Sequence, residues 1–385
     1  MKILNICAYT WAIGGPARII YDHTTEAIKN GHQVDIASPM TPGERLYDLP
    51  KGARVIRCNR TTPISNFYNE FSLDLYSFLK KHIHEYDIIH IHGIWHFGSL
   101  APFLIRNNVP KVITIHGLLD RWAINNSHWK KAIVSFLYQK RLLEKADLIQ
   151  INNTDEEKDV IEYLGHEPRN MAIIPNGMQF RDYQELPLKG TFKENFHLPK
   201  DKKLVLFMGR LNIKKGLDLV LPAFKEYVAA HDDAYLVLAG PDDGYQKEVE
   251  VFIKEHNLQN SVYLVGMLTD STKKSAMADA DIFVLPSYSE GFSIAVLEAM
   301  ICGVPALVSD RIGFGDYIKK YEAAHLCPLT IEGVKEGLTE LLGSEAYRVY
   351  RSVNALKMVY ENFDISVVAK KLLYEYQKIQ PSSKN

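Results

Sequence analysis

The 385-residue chain predicts an α/β protein made of two doubly wound domains in succession. Three observations carry this expectation. Short β-branched runs alternate with amphipathic helical stretches almost throughout, many of the runs are apolar without interruption, and the alternation breaks once, between residues 176 and 202. Uninterrupted apolar runs mark strands buried on both faces, hence parallel sheets covered by helices. The length also exceeds what one hydrophobic core usually serves.

The expected strands before the break are 2–8, 33–38, 54–58, 87–92, 111–115, 147–152 and 171–174. Those after it are 203–208, 234–239, 261–265, 281–285 and 304–308; Leu204-Val205-Leu206-Phe207-Met208 and Ile282-Phe283-Val284-Leu285 are the clearest. Asn176-Gly177 is a turn signal, and Pro187, Gly190 and Pro199 follow among charged residues with no clear strand. The domains are therefore expected at 1–176 and 203–362, with a linker at 177–202. Residues 363–385 would close the chain: Val368, Leu372, Leu373 and Tyr376 recur at helical spacing, ahead of a polar tail.

Hydrophobic residues at 46% and charged residues at 24% exclude disorder and a membrane bundle. A net charge of −1 argues against a nucleic-acid partner. Cys7, Cys58, Cys302 and Cys327 are widely spaced in apolar surroundings, which suits reduced thiols in a cytoplasmic protein. The apolar start, Met1 to Ala8, lacks a small-residue cleavage pattern, so no signal peptide is expected. No run reaches the roughly 18 apolar residues of a spanning helix. The expected location is the cytoplasm, or the cytoplasmic face of a membrane.

In open α/β sheets, ligands bind beyond the carboxyl ends of the strands. Two such domains facing a central cleft would bring both sets of strand-end loops to it. After strand 203–208 comes Gly209-Arg210-Leu211-Asn212-Ile213-Lys214-Lys215-Gly216. Arg210 offers a planar fork for phosphate oxygens and Lys215 a mobile point charge, a pair suited to a diphosphate. Composition alone would equally allow a solvated basic turn. Pro222 fits the following helix only if that helix starts near Asp218.

After strand 281–285 comes Pro286-Ser287-Tyr288-Ser289-Glu290-Gly291-Phe292-Ser293, then Ile294-Ala295-Val296-Leu297-Glu298-Ala299-Met300. Ser293 is a suitable N-cap, and Gly303 with Pro305 would stop the helix. The amides of Gly291 to Ile294 would attract an anion. Glu290 and Glu298 could each accept hydrogen bonds from hydroxyls of one bound ligand. Glu298 sits among apolar neighbours, and a buried carboxylate needs a partner.

In the first half, Gly14-Gly15-Pro16-Ala17-Arg18 follows the first strand. It is neither GxGxxG nor a P-loop, so the dinucleotide and NTP-hydrolase fingerprints are missing. His90, His92 and His96, then His116-Gly117, cluster at two strand ends. His90 and His92 share a strand face, with no Cys or carboxylate nearby to complete a metal set. His116 is better placed to exchange one hydrogen bond with a sugar. Asp279-Ala280-Asp281 matches a metal-binding DxD pattern but precedes its strand, so it reads as a helix-to-strand turn; Asp242-Asp243-Gly244 reads as a polar turn. The stretch from Trp129 to Lys145 mixes Ile133, Phe136, Leu137 and Tyr138 with Lys130, Lys131, Lys140 and Arg141. It could rest on an anionic membrane; a helix packed on its own sheet with a basic outer face is the favoured reading.

Taken together, Gly14-Gly15, Asp87 to Gly93, His116-Gly117, Ile174-Pro175-Asn176-Gly177, Gly209-Arg210-Leu211 with Lys215-Gly216, and Glu290-Gly291-Phe292 with Glu298-Ala299 resemble family-four glycosyltransferases. These are retaining enzymes of the GT-B architecture, two Rossmann-like domains facing a cleft. The resemblance implies that Arg210 and Lys215 bind the donor diphosphate in place of a metal. Glu290 would face the donor sugar, with backbone at Gly291, Phe292 and Ser293 on its hydroxyls or the distal phosphate. Glu298 would bind the ribose, backbone near Gly266, Met267 and Leu268 the base, Gly15 the diphosphate, and His116 the transferring sugar. The terminal helix would cross back to the first domain. His116-Gly117-Leu118-Leu119-Asp120-Arg121-Trp122-Ala123 resembles members that build bacterial exopolysaccharide. Met178-Gln179 departs from the acidic residue members often carry after Asn-Gly.

The implied activity is transfer of a hexose-type sugar, UDP-linked by preference, to a glycan or lipid-linked acceptor in polysaccharide synthesis, with no cofactor or metal. A nucleotide-sugar epimerase on the same scaffold would turn over donor without transfer. A non-catalytic sugar-nucleotide sensor would bind donor and do nothing further.

Overall fold

The computed structural model describes residues 1–7, 15–44, 48–120, 128–183 and 185–380. Among them, strands β1 (Lys2–Cys7), β2 (Gln33–Met40), β3 (Arg54–Asn59), β4 (Ile88–His92), β5 (Lys111–Thr114), β6 (Leu148–Ile151) and β7 (Met171–Ile173) form one sheet. Its order is β3-β2-β1-β4-β5-β6-β7, all parallel. Strands β8 (Lys203–Met208), β9 (Ala234–Ala239), β10 (Val262–Gly266), β11 (Ile282–Leu285), β12 (Ala306–Ser309) and β13 (His325–Cys327) form a second parallel sheet, ordered β10-β9-β8-β11-β12-β13.

Each sheet reverses direction once, between β1 and β4 and between β8 and β11. A topological switch point opens a crevice at the carboxyl ends of the two strands that flank it. The segments singled out above, 209–216 and 286–293, follow β8 and β11. The switch point thus selects the same two loops as the charge pattern does.

The helices that matter to the site are α1 (Gly15–Lys29), α2 (Thr154–Leu164), α3 (Leu217–Ala230), α4 (Asp270–Asp279), α5 (Ile294–Ile301) and α6 (Ile365–Ile379). Strand interiors are apolar and buried, as the uninterrupted runs require: Leu204 to Phe207, Leu236, Val237 and Ile282 to Val284 are fully enclosed. Helix α6 returns to the first sheet. Asp364 caps it by accepting from the Ser366 amide at 2.8 Å. Its Val368, Leu372 and Tyr376 pack with Ile3, Val34, Ile88 and Val112, each side chain contributing about 1.5–3 kcal/mol. At the entry to α6, a Cβ on Gly177 would lie 2.9 Å from the Ile365 Cα, so only glycine lets the two segments touch.

The chain divides into one unit of Met1–Gln179 with Phe363–Asn385 and another of Phe180–Asn362. This differs from the expected linker at 177–202. Residues 180–202 belong to the second unit, with Phe192 fully buried and the amides of Gly190 and Lys193 donating to Asp279. Proline, glycine and charge marked an irregular backbone there, and the irregular backbone packs. Helix α3 begins at Leu217, so Pro222 lies in its interior rather than its first turn. The carbonyl of Asp218 loses its amide partner there. Strand β13 was not expected: it has three residues and is only half-buried at His325 and Leu326, so no apolar run announces it.

Candidate functional site

At the carboxyl end of the second sheet, two glycines bring three strand ends together. Gly209 N donates to Ala239 O at 2.9 Å and Gly240 N to Gly266 O at 2.8 Å. A Cβ on Gly240 would sit 1.8 Å from Gly209 O. The chain then turns through Asn212, whose Oδ1 accepts from Lys214 N at 3.0 Å and whose Nδ2 donates to Asp243 O at 2.9 Å. Gly216, at φ 76°, closes the turn; a Cβ there would meet Pro286 O at 2.1 Å. The 209–216 loop is thereby pressed against the start of the loop after β11.

That contact brings Lys215 and Glu290 together. The Lys215 ammonium is ion-paired with Glu290 Oε2, and both side chains are mostly enclosed. Ser287 Oγ donates to the same oxygen at 3.3 Å. The Glu290 backbone is held by Gly313 N, which donates to Glu290 O at 2.7 Å. Arg210 is not part of this pair. Its side chain is 67% exposed and its Nη1 donates to Asp243 Oδ2 at 2.8 Å.

Helix α5 starts directly behind Glu290. Ser293 occupies its N-cap position and is buried, but its side chain makes no capping hydrogen bond, contrary to its expected role. Phe292 packs edge-on against Phe314, with ring centroids 5.9 Å apart, and Gly291 lies in the same turn, where a Cβ would meet nothing within 4 Å. Glu298 is buried at 6% exposure. Its Oε1 accepts from Tyr183 Oη and from Lys273 Nζ, each at 2.5 Å. Lys273 lies on α4, so both glutamates carry a lysine partner. Neither Lys273 nor Tyr183 was legible beforehand, because each lies far from Glu298 in sequence and on a different element. At the end of β10, Gly266 has φ 70° and Met267 is 67% exposed, with Leu268 following.

The two acidic decoys resolve as turns. Asp279 ends α4 and accepts from Gly190 and Lys193 amides, and Asp281 Oδ2 accepts from Leu204 N at 2.8 Å. Asp242 Oδ1 accepts from the amides of Gly244, Tyr245 and Gln246. Among the described residues, no group of three or more His, Cys, Asp or Glu is arranged to hold a metal.

In the first unit, Gly15 is the first residue of α1; Gly14 and Arg121 to Ala123 lie outside the described residues. His116 adopts φ 55°, a left-handed conformation that a side chain rarely takes. Its Nε2 lies 3.4 Å from His92 Nδ1, and His92 Nε2 lies 3.3 Å from Asn5 Oδ1. Asn5 Nδ2 donates to Thr24 on α1 at 3.1 Å. The polar file therefore crosses the ends of β5, β4 and β1. His90 stacks on His92 at 4.0 Å and faces away into the fold, bonding Tyr376 at 2.5 Å and Thr114 at 2.6 Å. Burial pushes the His116 imidazole down to about 4 and His92 well below its ordinary value. Both are neutral near pH 7, so His116 offers a hydrogen bond rather than a charge.

Glu156 steadies the His116 turn. It is buried on α2, accepts from Asn152 N at 2.8 Å and Asn152 Nδ2 at 2.9 Å, and also accepts from the Gly117 amide. Burial raises its pKa above the ordinary range, and those donors oppose the rise. Trp95, at φ 75°, is held by Gln139 Oε1 on its amide and by Leu118 O on its indole.

The stretch after His128 is helical to Lys145, with a π-helical segment at Ser135–Gln139. Gln139, Leu142 and Leu143 are buried there. Ile133, Phe136 and Leu137 are instead 51%, 85% and 58% exposed, so packing on the sheet accounts for only part of its apolar content.

Comparison with known proteins supplies the family. The family Glycosyltransferase Family 4 matches residues 13–180, and Glycosyl transferases group 1 matches residues 189–358. An uncharacterized glycosyltransferase of Methanocaldococcus jannaschii is 28% identical, covering 97% of this chain and 98% of its own. The phosphatidyl-myo-inositol mannosyltransferase of Mycolicibacterium smegmatis is 25% identical over 98% of this chain and 94% of its own. Among solved structures, Anabaena HepE in complex with UDP and glucose aligns with a TM-score of 0.76 at 18% identity, covering 98% of this chain and 100% of its own. The chain belongs to the group 1 and family 4 glycosyltransferases and has the GT-B fold.

Proposed function

We propose that the chain moves a hexose-type sugar from a nucleoside diphosphate donor, UDP-linked by preference, to a glycan or lipid-linked acceptor in polysaccharide assembly, with retention and without a metal. The observation that carries this reading is the Lys215–Glu290 pair at the β8–β11 switch point. A sugar diphosphate can split such a pair productively. Its phosphate oxygens take the ammonium, and its sugar hydroxyls take the carboxylate. Glu298, steadied by Lys273 and Tyr183 on one oxygen, is suited to accept from ribose hydroxyls on the other. The preference for a UDP donor draws on the HepE neighbour, which was solved with UDP and glucose. A cytoplasmic site of action fits the supply of nucleotide sugars.

Breaking the bond to the anomeric carbon places negative charge on the departing diphosphate. Lys215, Arg210 and the N-terminal end of α5 would stabilise it, and losing one preorganised donor typically costs about 2.7–4 kcal/mol. Arg210 must exchange Asp243 for phosphate, which its exposure permits. Glu290 is engaged by Lys215 and Ser287, which disfavours it as a nucleophile. We therefore propose same-face attack assisted by the leaving phosphate; a trapped glycosyl–enzyme adduct would refute that step. The test is sugar transfer from UDP-, GDP- and ADP-sugars in EDTA. Lys215→Ala should lower it at least about tenfold. Activity that EDTA abolishes and added metal restores would overturn the metal-free reading. Donor turnover without transfer would point to an epimerase, and donor binding without turnover to a sensor.

A further inference from the structure

We infer that Trp95 and Gln139 are positioning residues for sugar transfer, acting through the turn that presents His116. This rests on the transferase reading, in which His116 meets the transferring sugar. Two residues with side chains stand in left-handed backbone at the ends of neighbouring strands: Trp95, at φ 75°, after β4, and His116, at φ 55°, after β5. Such backbone is strained for a large side chain and persists only where the surroundings impose it. The turn after His116 does little of this itself. Its own backbone bonds, Leu118 N to Ile115 O and Asp120 N to Gly117 O, are each 3.3 Å long.

The restraint comes from other segments. Glu156 on α2 accepts from the Gly117 amide, and the Trp95 indole donates to Leu118 O at 3.1 Å. Trp95 is fixed in turn: Tyr163, also on α2, meets its ring edge-on with centroids 5.7 Å apart, and Gln139 Oε1 accepts from its amide at 3.1 Å. Gln139 is fully buried, at the end of the π-helical segment Ser135–Gln139; widened turns of this kind are frequent at functional sites. Among the described residues its Nε2 has no hydrogen-bond partner. A buried amide nitrogen left unbonded is destabilising, and leucine would fill the space without that defect. What the glutamine supplies is its oxygen on Trp95. Gln139 thus holds Trp95, Trp95 holds Leu118, and His116 keeps a conformation that its own turn does not enforce.

The test compares the full chain with three variants. Trp95→Phe keeps a ring and loses the indole N–H, Gln139→Leu loses the acceptor oxygen, and Gln139→Glu keeps one. Without substrate, hydrogen exchange of the amides at 117–119 should quicken about tenfold in Trp95→Phe, one hydrogen bond's worth. Exchange in β1 and β2 should be unchanged, which excludes general unfolding. The kcat for transfer should fall at least about tenfold in Trp95→Phe and Gln139→Leu, with donor KM unchanged, and recover in Gln139→Glu. Because the pair acts through His116, adding Trp95→Phe to His116→Ala should slow transfer no further than His116→Ala alone. Unaltered exchange at 117–119, a Gln139→Glu variant as slow as Gln139→Leu, or a double variant slowed by the product of the single effects would overturn the inference. So would a loss that falls on UDP affinity instead of kcat. A parent chain that binds UDP and transfers nothing would overturn the transferase reading, and this inference with it; failure of the inference alone leaves parental transfer intact.

Discussion

Acid should unfold the first unit well before it exhausts the carboxylates, and the reason is its enclosed histidines. Burial lowers His23 and His116 from 6.5 to about 4, and His96 to about 3. His23 is 8% exposed, has no hydrogen-bond partner on either ring nitrogen among the described residues, and borders a cavity of about 20 Å³ with Asn5, His90 and Tyr376. Above pH 6.5 each ring is neutral whether the chain is folded or not. As the pH falls, the unfolded chain takes up the proton first, so stability present above 6.5 is lost down to the folded value. At pH 5 this amounts to about 2 kcal/mol per ring and about 6 kcal/mol for the three. Asp159 opposes the loss: burial, with Asp120 nearby, raises it to about 6, and its preferential protonation in the folded state returns about 1 kcal/mol. The net expectation is a loss of roughly 4–5 kcal/mol between pH 7.5 and pH 5.

All four tryptophans (Trp11, Trp95, Trp122 and Trp129) precede residue 180 in the sequence, so indole fluorescence in urea reports on the part of the chain that holds the first sheet. His23→Leu should recover about 2 kcal/mol of the loss at pH 5. An unfolding midpoint that is the same at both pH values would refute the reasoning. So would a His23→Leu variant with the full parental pH slope.

Three further outcomes follow from the site. Gly240→Ala places a Cβ 1.8 Å from Gly209 O, so it should destabilise the second unit by more than about 3 kcal/mol in thermal denaturation followed by circular dichroism; a stable variant would mean the strand ends can part. Lys273→Met leaves the buried Glu298 carboxylate with Tyr183 alone. Because Lys273 is one-quarter exposed, the loss should be nearer about 2 kcal/mol than the 3–5 of an enclosed pair. It should appear as weaker UDP binding by calorimetry with kcat less affected; unchanged affinity would detach Glu298 from the nucleotide. Glu156→Gln cannot accept at both oxygens, so the Asn152 or Gly117 amide loses its acceptor, at about 1–3 kcal/mol. If His116 serves transfer as proposed, transfer should slow while UDP affinity holds; a fall in UDP affinity alone would argue against that positioning role.

Strands buried on both faces, such as β8 and β11, are legible because a parallel sheet demands apolar residues at every position. Strand β13 escaped because its short run is interrupted by His325 and is only partly buried, whereas the equally short edge strand β7 is apolar throughout. The loop glycines were legible as turns. That Gly216 and Gly240 are needed for contact with Pro286 and Gly209 was not, since a close approach between distant segments leaves no local mark. Glu298 was legible as a carboxylate in need of a partner; the partner itself was not. The same holds for Arg210, where the sequence supplied the cation and only the fold supplied Asp243.

The two sheets share one strand order, and their carboxyl ends differ in charge. At the second sheet's switch point Lys215 pairs with Glu290 and Arg210 with Asp243, ion pairs that a substrate can exchange. At the first, burial strips charge from His92 and His116, and the polar file from His116 to Thr24 is neutral. A diphosphate needs counter-charges to bind, and a neutral hydroxyl acceptor needs only hydrogen bonds. Under the proposed transfer, burial would divide the tasks of two like folds: donor chemistry would suit the second unit, and an uncharged acceptor the first. Restoring a fixed charge to the first unit's file, as His116→Lys would, should leave UDP affinity intact and abolish transfer. A variant that kept full transfer would show that neutrality there is incidental.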